Sequence, residues 1–205
     1  MFYYETNIFT DFDKKMITRY LNNIDDFKCN PKCYDTTQSG RLQKWYNVNG
    51  KYFCPLWKLR HDWWESFDYD NNLFYFQNII QNRLYSLKYN ININSCLINK
   101  YRNGEDYIAP HRDSKLSFGD NPIIAILSIG QTRTLRFTKV ENNYRDKSLT
   151  KKDKDNIIID FELEDNSLFI MSGDSQSCYS HELLKDNSDK ERYSLTFRKF
   201  ILKHI

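Results

Sequence analysis

The chain has 205 residues, 40% of them hydrophobic and 16% aromatic, which is enough apolar mass for one folded domain and too much for a disordered chain. Its 30 Lys and Arg against 27 Asp and Glu give a net charge of +3, so no global basic field marks it as a nucleic-acid binder. Scattered cysteines, a start unlike a signal peptide and the lack of a window near the roughly 18 apolar residues of a membrane span argue against secretion and membrane insertion, and predict an intracellular protein of the cytoplasm or nucleus.

The N-terminal part of the chain has the pattern of helices with one ribbon. Residues 9–24 place apolar side chains at steps of three and four behind a capping position at Thr10, which predicts an amphipathic helix. The turn-rich segment 28–56 predicts a hairpin or an irregular ribbon. Residues 57–67 and 72–89 again carry apolar side chains at helical spacing and predict two more helices.

After about residue 91 the pattern changes to short apolar runs separated by polar turns. These runs predict strands at 94–101, 106–113, 122–130, 134–140, 156–163, 167–173, 178–184 and 192–202. So many strands in one block favour a jelly roll or barrel that carries the N-terminal helices on its outside. The Lys- and Asp-rich segment 142–156 lacks periodicity and predicts a long surface loop.

Two of the four histidines lie inside the β block. His111 and Asp113 are two residues apart on a predicted strand, so both side chains are expected on one face. A third candidate ligand is His181, on a strand that a jelly roll brings alongside. Two histidines and one carboxylate form the facial triad of non-haem Fe(II) sites. Alone, H-x-D is a weak motif, and it needs support from elsewhere in the chain.

That support comes from the last predicted strand. Its alternation puts Arg192, Ser194, Thr196 and Arg198 on one face and the apolar residues between them on the other. Two arginines would then point into the barrel, and a buried guanidinium needs an anionic partner. A dicarboxylate such as 2-oxoglutarate would supply one carboxylate to each.

Several motifs are spread over the second half of the chain. They are N-x-Y-R-x-G-x-D-x-I-x-x-H-x-D at 99–113, P-I at 122–123, S-x-G at 128–130, R-x-x-R-F at 133–137, the histidine at 181 and R-x-S-L-T-F-R-K at 192–199. Together they resemble the AlkB family of Fe(II)/2-oxoglutarate dioxygenases, and within it the branch of nuclear DNA-repair demethylases. Upstream of about residue 96 the resemblance is thinner, although Arg41-Leu42-Gln43 followed by Tyr46 is similar to the family's substrate-lid ribbon.

The resemblance implies a fold and an activity. The fold is a double-stranded β-helix, or jelly roll, in an α+β protein that is mainly β. Residues 1–90 would hold the outer helices and the nucleotide-recognition lid, and residues 91–205 the catalytic β-helix, within one compact domain. The activity is oxidative demethylation of N-alkylated bases in DNA or RNA, as repair of alkylation damage, with Fe(II), 2-oxoglutarate and O₂.

The resemblance also assigns roles to individual residues. The iron ligands are matched by His111, Asp113 and His181. The surroundings of 2-oxoglutarate are matched by Arg192 and Tyr101 at its distal carboxylate, and by Arg198 and Asn99 near its metal-chelating end. The family usually has Asn where this chain has Ser194, so we expect weaker binding of 2-oxoglutarate but not its loss.

On the substrate side, the predicted contacts are Arg41, Gln43, Trp45, Tyr46, Lys115 and Arg133. The two aromatic residues are expected to grip an unstacked base, and the two arginines to meet phosphates. Lys115 follows Asp113 by two residues and would share its strand face, where the similar branch has an acidic residue. A cation there would repel a positively charged methylated base such as 1-methyladenine, and it could instead contact phosphate.

The sequence leaves the substrate open. The ribbon lacks an apolar wedge for opening a duplex, which weakly favours single-stranded DNA or RNA. One alternative is a dioxygenase of the same fold that acts on an RNA modification or a protein side chain. Another is a catalytically silent nucleic-acid-binding module, against which the complete triad and the two inward arginines argue.

Overall fold

The structure is a computed structural model that describes residues 1–29, 40–48, 66–140 and 157–201. Within these ranges the strands are β1 (Phe2–Thr6), β2 (Lys28–Cys29), β3 (Leu42–Asn47), β4 (Ser95–Tyr101), β5 (Ile108–His111), β6 (Ile124–Gly130), β7 (Arg133–Lys139), β8 (Ile158–Leu163), β9 (Ser167–Met171), β10 (Tyr179–Leu183) and β11 (Arg192–Arg198). The helices are α1 (Asp11–Asn22), α2 (Asn71–Ser86), α3 (Lys115–Phe118) and α4 (Ser175–Cys178).

The strands form two sheets that pack face to face. The larger sheet has the order β1-β9-β6-β11-β4-β3-β2, and the smaller has the order β5-β10-β7-β8. Neighbouring strands pair antiparallel in both. The strands predicted after residue 91 are all present as β4 to β11. The predicted double-stranded β-helix, mainly β with few helices, is confirmed.

Two helices cover the outer face of the larger sheet. The Thr10 hydroxyl caps α1 by accepting a hydrogen bond from the Asp13 amide at 3.2 Å, and the Asp70 carboxylate caps α2 by accepting one from the Leu73 amide at 2.8 Å. The apolar stripes of both helices join side chains of β4, β6, β9 and β11 in one buried cluster. The predicted helices at 9–24 and 72–89 are therefore confirmed, with slightly shorter bounds.

Side chains of the larger sheet alternate between two environments because successive residues of a strand point to opposite faces. In β11, Tyr193, Leu195 and Phe197 pack under the helices. The intervening residues, from Arg192 to Arg198, line a cavity between the sheets. The predicted inward direction of the two arginines is thus what the structure shows.

The N-terminal strand β1 was not among the predicted elements. It pairs with β9 and extends the larger sheet at its edge. Phe2 anchors it, with ring centroids 4.4 Å from Phe137 and 5.9 Å from Phe169. The aromatic-rich start of the chain was the available signal, since aromatic residues favour strands. A segment N-terminal to the helices therefore belongs to the β-helix itself.

Other predicted segments fall largely outside the described residues. The loop at 142–156 lies wholly outside them, and so does most of the ribbon at 28–56. The predicted helix at 57–67 is described only at its end, where Phe67 forms an isolated bridge with Tyr46. Among the described helices, none combines the length and apolar character that crossing a membrane requires.

Candidate metal centre

Three potential metal ligands converge between the two sheets. His111 ends β5, and its paired residue in β10 is His181. Asp113 lies two residues past the end of β5, so it reaches the site from a loop and not from the strand face that the sequence predicted. His111 Nε2 lies 3.8 Å from Asp113 Oδ1, and the histidine ring centroids are 4.3 Å apart. One ligand atom from each residue lies within 4.8 Å of the others.

Both histidines have the neutral form that binds a metal. Burial lowers the pKa of His181 to about 3 and also lowers the pKa of His111. His111 Nδ1 donates a hydrogen bond to the Ala109 carbonyl at 2.9 Å, which leaves the Nε2 lone pair facing Asp113. His181 Nδ1 is buried and has no hydrogen-bond partner among the described residues. The donor set therefore fits one divalent cation such as Fe(II).

The low pKa of His181 predicts acid sensitivity of the metal-free protein. The unfolded chain takes up a proton near the ordinary histidine pKa of 6.5, whereas the folded chain does so only at about pH 3. Stability is therefore full above about pH 6.5 and falls as the pH is lowered. The loss from this one histidine is about 2 kcal/mol between about pH 7 and about pH 5. Urea unfolding with a chelator measures it. In the His181→Gln variant, the free energy of unfolding should fall by about 2 kcal/mol less between about pH 7 and about pH 5. The same pH dependence in the variant and the wild type would contradict the low pKa of His181.

Asp113 is held as a carboxylate by its neighbours. Burial opposes its ionisation, but the Arg198 guanidinium beside it favours the charged form, and the pKa of Asp113 lies below its ordinary value. Arg198 Nε lies 2.8 Å from Asp113 Oδ2, and Arg198 Nη2 donates to Oδ1 at 3.3 Å. The Asp113 amide donates to Gln176 Oε1 at 2.9 Å, which fixes the loop that carries this ligand.

Arg192 is a buried cation with free donors. Only 1% of the residue is exposed, and burial lowers its pKa to about 10. Its Nη2 donates to Ser128 Oγ at 2.8 Å, and its guanidinium carbon lies 5.1 Å from the centre of the Tyr101 ring. Its Nε and Nη1 have no hydrogen-bond partner in the described part of the chain. This arrangement fits the binding of a carboxylate, because buried guanidinium donors call for an anion.

A row of polar side chains crosses the inner face of the larger sheet beside Arg192. Asn99 Nδ2 donates to Ser194 Oγ at 3.3 Å, and Asn99 Oδ1 accepts from Arg41 Nε at 3.1 Å. Arg41 also donates to the Tyr107 carbonyl at 3.3 Å. Ser194 thus supports Asn99 directly. Weaker binding of 2-oxoglutarate because of Ser194 stays a prediction.

The triad and these polar residues line a single cavity of about 510 Å³. This volume lies within the range of about 300 to 1,000 Å³ that is usual for small-molecule sites. Its wall includes these predicted site residues: Arg41, Gln43, Asn99, Tyr101, His111, Asp113, His181, Arg192, Ser194 and Arg198. Lys115, Arg133, Trp45 and Tyr46, also predicted to contact the substrate, are not part of it.

Trp45 and Tyr46 are buried in packing contacts, contrary to the prediction that they grip a base. Trp45 is 3% exposed and meets Phe200 with ring centroids 5.4 Å apart. Tyr46 is 4% exposed, belongs to the helix-covered core and lies 3.5 Å from the Tyr20 hydroxyl. The physical reason is that both faces of β3 are covered at this point, by the helix-covered core over Tyr46 and by the segment after β11 over Trp45.

Lys115 does not share a strand face with Asp113. The strand ends at His111, and Ser114 caps the short helix α3 by accepting a hydrogen bond from the Ser117 amide at 3.3 Å. The Lys115 ammonium lies 3.2 Å from Asp120 Oδ1. The predicted repulsion of a cationic base by Lys115 therefore loses its structural basis.

Arg133 is a buried structural residue, contrary to its predicted contact with phosphates. It is 1% exposed and donates to the carbonyls of Asn103, Gly104, Asp106 and Leu184. Its Nε lies 3.1 Å from a carboxylate oxygen of Asp186. Arg133 therefore ties the segment after β4 to the segment after β10.

Replacing Arg133 should destabilise the fold. Arg133→Met leaves buried carbonyls unpaired, and we expect the free energy of unfolding to fall by about 3 to 5 kcal/mol. Arg136→Met is the matched control, because Arg136 pairs with Asp160 at the surface and should change stability by no more than about 1 kcal/mol. Urea denaturation compares the two. Unchanged stability of Arg133→Met together with weaker oligonucleotide binding would restore the phosphate-contact prediction.

Sequence reasoning missed three residues at the site. Gln176 holds the Asp113 loop, Ser128 holds Arg192, and Arg112 lines the cavity. Ser128 lies on the inward-facing side of a predicted strand, so its position was readable from alternation. Gln176 lies in a short helix that no periodic pattern indicates.

Comparison with known proteins agrees with this geometry. The family model of the 2OG-Fe(II) oxygenase superfamily matches residues 13–198. The human alpha-ketoglutarate-dependent dioxygenase alkB homolog 3 is 36% identical over 106 residues, which are 51% of this chain and 36% of that protein. The protein of the same name from Rattus norvegicus is 34% identical over 106 residues, or 51% of this chain and 35% of its own length. The match thus spans about a third of these relatives.

Solved structures show the same fold at low identity. OsALKBH1 superposes with a TM-score of 0.66 and 16% identity, covering 97% of each chain. A prolyl-4-hydroxylase from Pseudomonas putida superposes with a TM-score of 0.59 and 13% identity, covering 98% of this chain and 92% of its own. These neighbours show the fold alone, whereas the alkB homolog 3 matches confirm the resemblance to the AlkB family, though not to its nuclear branch.

Proposed function

Because the chain belongs to the 2OG-Fe(II) oxygenase superfamily, we propose that it oxidatively demethylates N-alkylated nucleobases in DNA or RNA. Membership makes it an Fe(II)- and 2-oxoglutarate-dependent dioxygenase that uses O₂. The main support for a nucleobase substrate is the 36% identity to alkB homolog 3 across 106 residues. Repair of alkylation damage is the cellular role that we propose for this reaction.

The chain's own residues fit the two cofactors. We propose that His111, Asp113 and His181 hold the iron, with Arg198 fixing the Asp113 carboxylate. Arg192 offers its unpartnered Nε and Nη1 donors to the distal carboxylate of 2-oxoglutarate, beside Tyr101. When bound, Fe(II) with O₂ and 2-oxoglutarate supplies the oxidising chemistry, in which 2-oxoglutarate becomes succinate and CO₂ and the methyl carbon leaves as formaldehyde.

The remaining cavity wall serves the substrate. Arg41 and Gln43 line it from β3, and Arg112 lines it from the segment between two iron ligands. A base must leave its stack to reach so enclosed a site. We propose that single strands are preferred, because a base in a single strand can enter the cavity without the cost of opening a duplex.

The test is mass spectrometry of one oligonucleotide that carries 1-methyladenine. It is incubated with the protein, Fe(II), ascorbate and 2-oxoglutarate as single-stranded DNA, duplex DNA and RNA. We expect a mass loss of one methylene, fastest on the single strands. Equal or faster reaction on the duplex would contradict the strand preference. Formation of succinate without any change in the oligonucleotide would contradict 1-methyladenine as the substrate and direct the search to uncharged lesions, modified RNA and protein side chains.

A further inference from the structure

Gln43 is a buried amide on strand β3. It is 3% exposed and lines the cavity of the metal centre. Neither its Oε1 nor its Nε2 has a hydrogen-bond partner among the described residues. An unsatisfied buried polar group is costly, and such groups in folded proteins are nearly always paired. A side chain with both a donor and an acceptor unused is therefore suited to a ligand.

The neighbours of Gln43 explain why its amide stays unpaired. It lies opposite Asn99 in the paired strands β3 and β4, and Asn99 lies opposite Ser194 in β11. Directly paired residues point to the same face of a sheet. The Asn99 amide is already engaged at both ends, by Arg41 and by Ser194. Asn99 therefore does not pair with the Gln43 amide, whose donor and acceptor both lack a partner among the described residues.

The cosubstrate alone cannot satisfy this amide. 2-Oxoglutarate is a dianion with carboxylate and keto oxygens, so it offers acceptors and no donor. It could receive the Gln43 Nε2–H but could give nothing to Oε1. The Oε1 atom needs an N–H or O–H donor that 2-oxoglutarate lacks, and a substrate base bound in the same cavity can supply one.

We infer that Gln43 reads the base by pairing with the N6 and N7 edge of a methylated adenine. A glutamine amide is complementary to this edge, where N6–H donates and N7 accepts. Methylation at N1 leaves the edge intact. A cytosine methylated at N3 has no adjacent donor and acceptor left to match. The inference rests on the proposed function and adds to it the class of base: adenine in preference to cytosine.

The test compares demethylation of methylated adenine with that of methylated cytosine, and of methylated adenine with and without its N7 nitrogen. The wild-type protein and Gln43→Leu are assayed on single strands with 1-methyladenine, 1-methyl-7-deazaadenine or 3-methylcytosine. Gln43→Leu should lower kcat/KM for 1-methyladenine about 10- to 100-fold, and the change of N7 to carbon should cost the wild type about 10-fold. The two losses should not add, because both remove the same contact. The value for 3-methylcytosine should change less than about threefold.

Controls separate base reading from other roles. The dissociation constant of 2-oxoglutarate, measured by calorimetry without oligonucleotide, should change less than about twofold in Gln43→Leu. Gln77→Leu removes another buried amide, on α2 and outside the cavity, and should leave the ratio of the two methylated bases unchanged. The deaza base tests the wild-type protein itself, so a misfolded variant does not block the answer.

Each outcome has one meaning. The inference is overturned if replacing N7 by carbon lowers kcat/KM as much in Gln43→Leu as in the wild type. It is also overturned if Gln43→Leu lowers kcat/KM equally for 1-methyladenine and 3-methylcytosine. Both results leave the proposed function in place. Weakened binding of 2-oxoglutarate in Gln43→Leu overturns it too, and assigns Gln43 to the cosubstrate. No turnover of any methylated base by the wild type overturns the proposed function, and the inference with it.

Discussion

His181→Ala is expected to lower the rate of demethylation by more than about 100-fold, since losing even an outer partner of a metal ligand costs about 10- to 100-fold. The variant leaves His111 and Asp113 as the remaining ligand side chains of the triad. Fe(II) affinity should fall with the rate, which can be followed without turnover. Anaerobic titration with Fe(II) and 2-oxoglutarate measures it through the visible metal-to-ligand charge-transfer band.

The matched control for this variant is Ser180→Ala. Ser180 precedes His181 on β10 and is also buried, but it lies outside the wall of the cavity. We expect it to keep the charge-transfer band and most of the activity. A band of unchanged strength in His181→Ala would show that His181 is not an iron ligand.

Arg192→Met is expected to raise the KM for 2-oxoglutarate by about 30- to 5,000-fold. Truncating one partner of a buried, hydrogen-bonded charge pair costs about 2 to 5 kcal/mol. Without ligand the same change should leave the protein as stable or more stable, because Arg192 is a buried cation and two of its nitrogens have no partner in the described ranges. Affinity for the cosubstrate and stability of the free protein should therefore move in opposite directions.

Thermal unfolding tests both parts of this prediction. 2-Oxoglutarate with Mn(II) should raise the Tm of the wild type and have little effect on Arg192→Met. Arg136→Met, at the surface of β7, should respond as the wild type does. A Tm shift of equal size in Arg192→Met would mean that another cation holds the distal carboxylate. A large drop in the stability of the free variant would give Arg192 a structural role like that of Arg133.

Much of the candidate site was readable from local patterns. Alternation in β11 correctly put Arg192 and Arg198 on the inner face, and the triad comes together as predicted. The element that carries Asp113 differs from the predicted one, however. Asp113 arrives from a loop that Gln176 and Arg198 hold, and strand period alone does not encode such a loop. The roles of these residues towards 2-oxoglutarate stay predictions until the variants are measured.

The substrate side was predicted less well, because local sequence does not reveal what covers a side chain. Trp45 and Arg133 have residue types that commonly grip nucleic acid, yet one packs on Phe200 and the other binds backbone carbonyls. Lys115 was assigned by extending a strand that in fact ends at His111.

The sequence by itself determined the succession of strands, the two outer helices and the inward direction of the arginines, because a period of two or of about 3.6 residues is a local property of the backbone. Only the tertiary structure decided which polar groups already have partners. Arg133 meets carbonyls from segments up to 51 residues away, whereas Gln43 and Arg192 have cavity-facing atoms that no described residue pairs with. Whether a polar side chain finds a hydrogen-bond partner depends on contacts between distant segments of the chain. These contacts distinguish a structural cation such as Arg133 from polar groups that can bind a ligand.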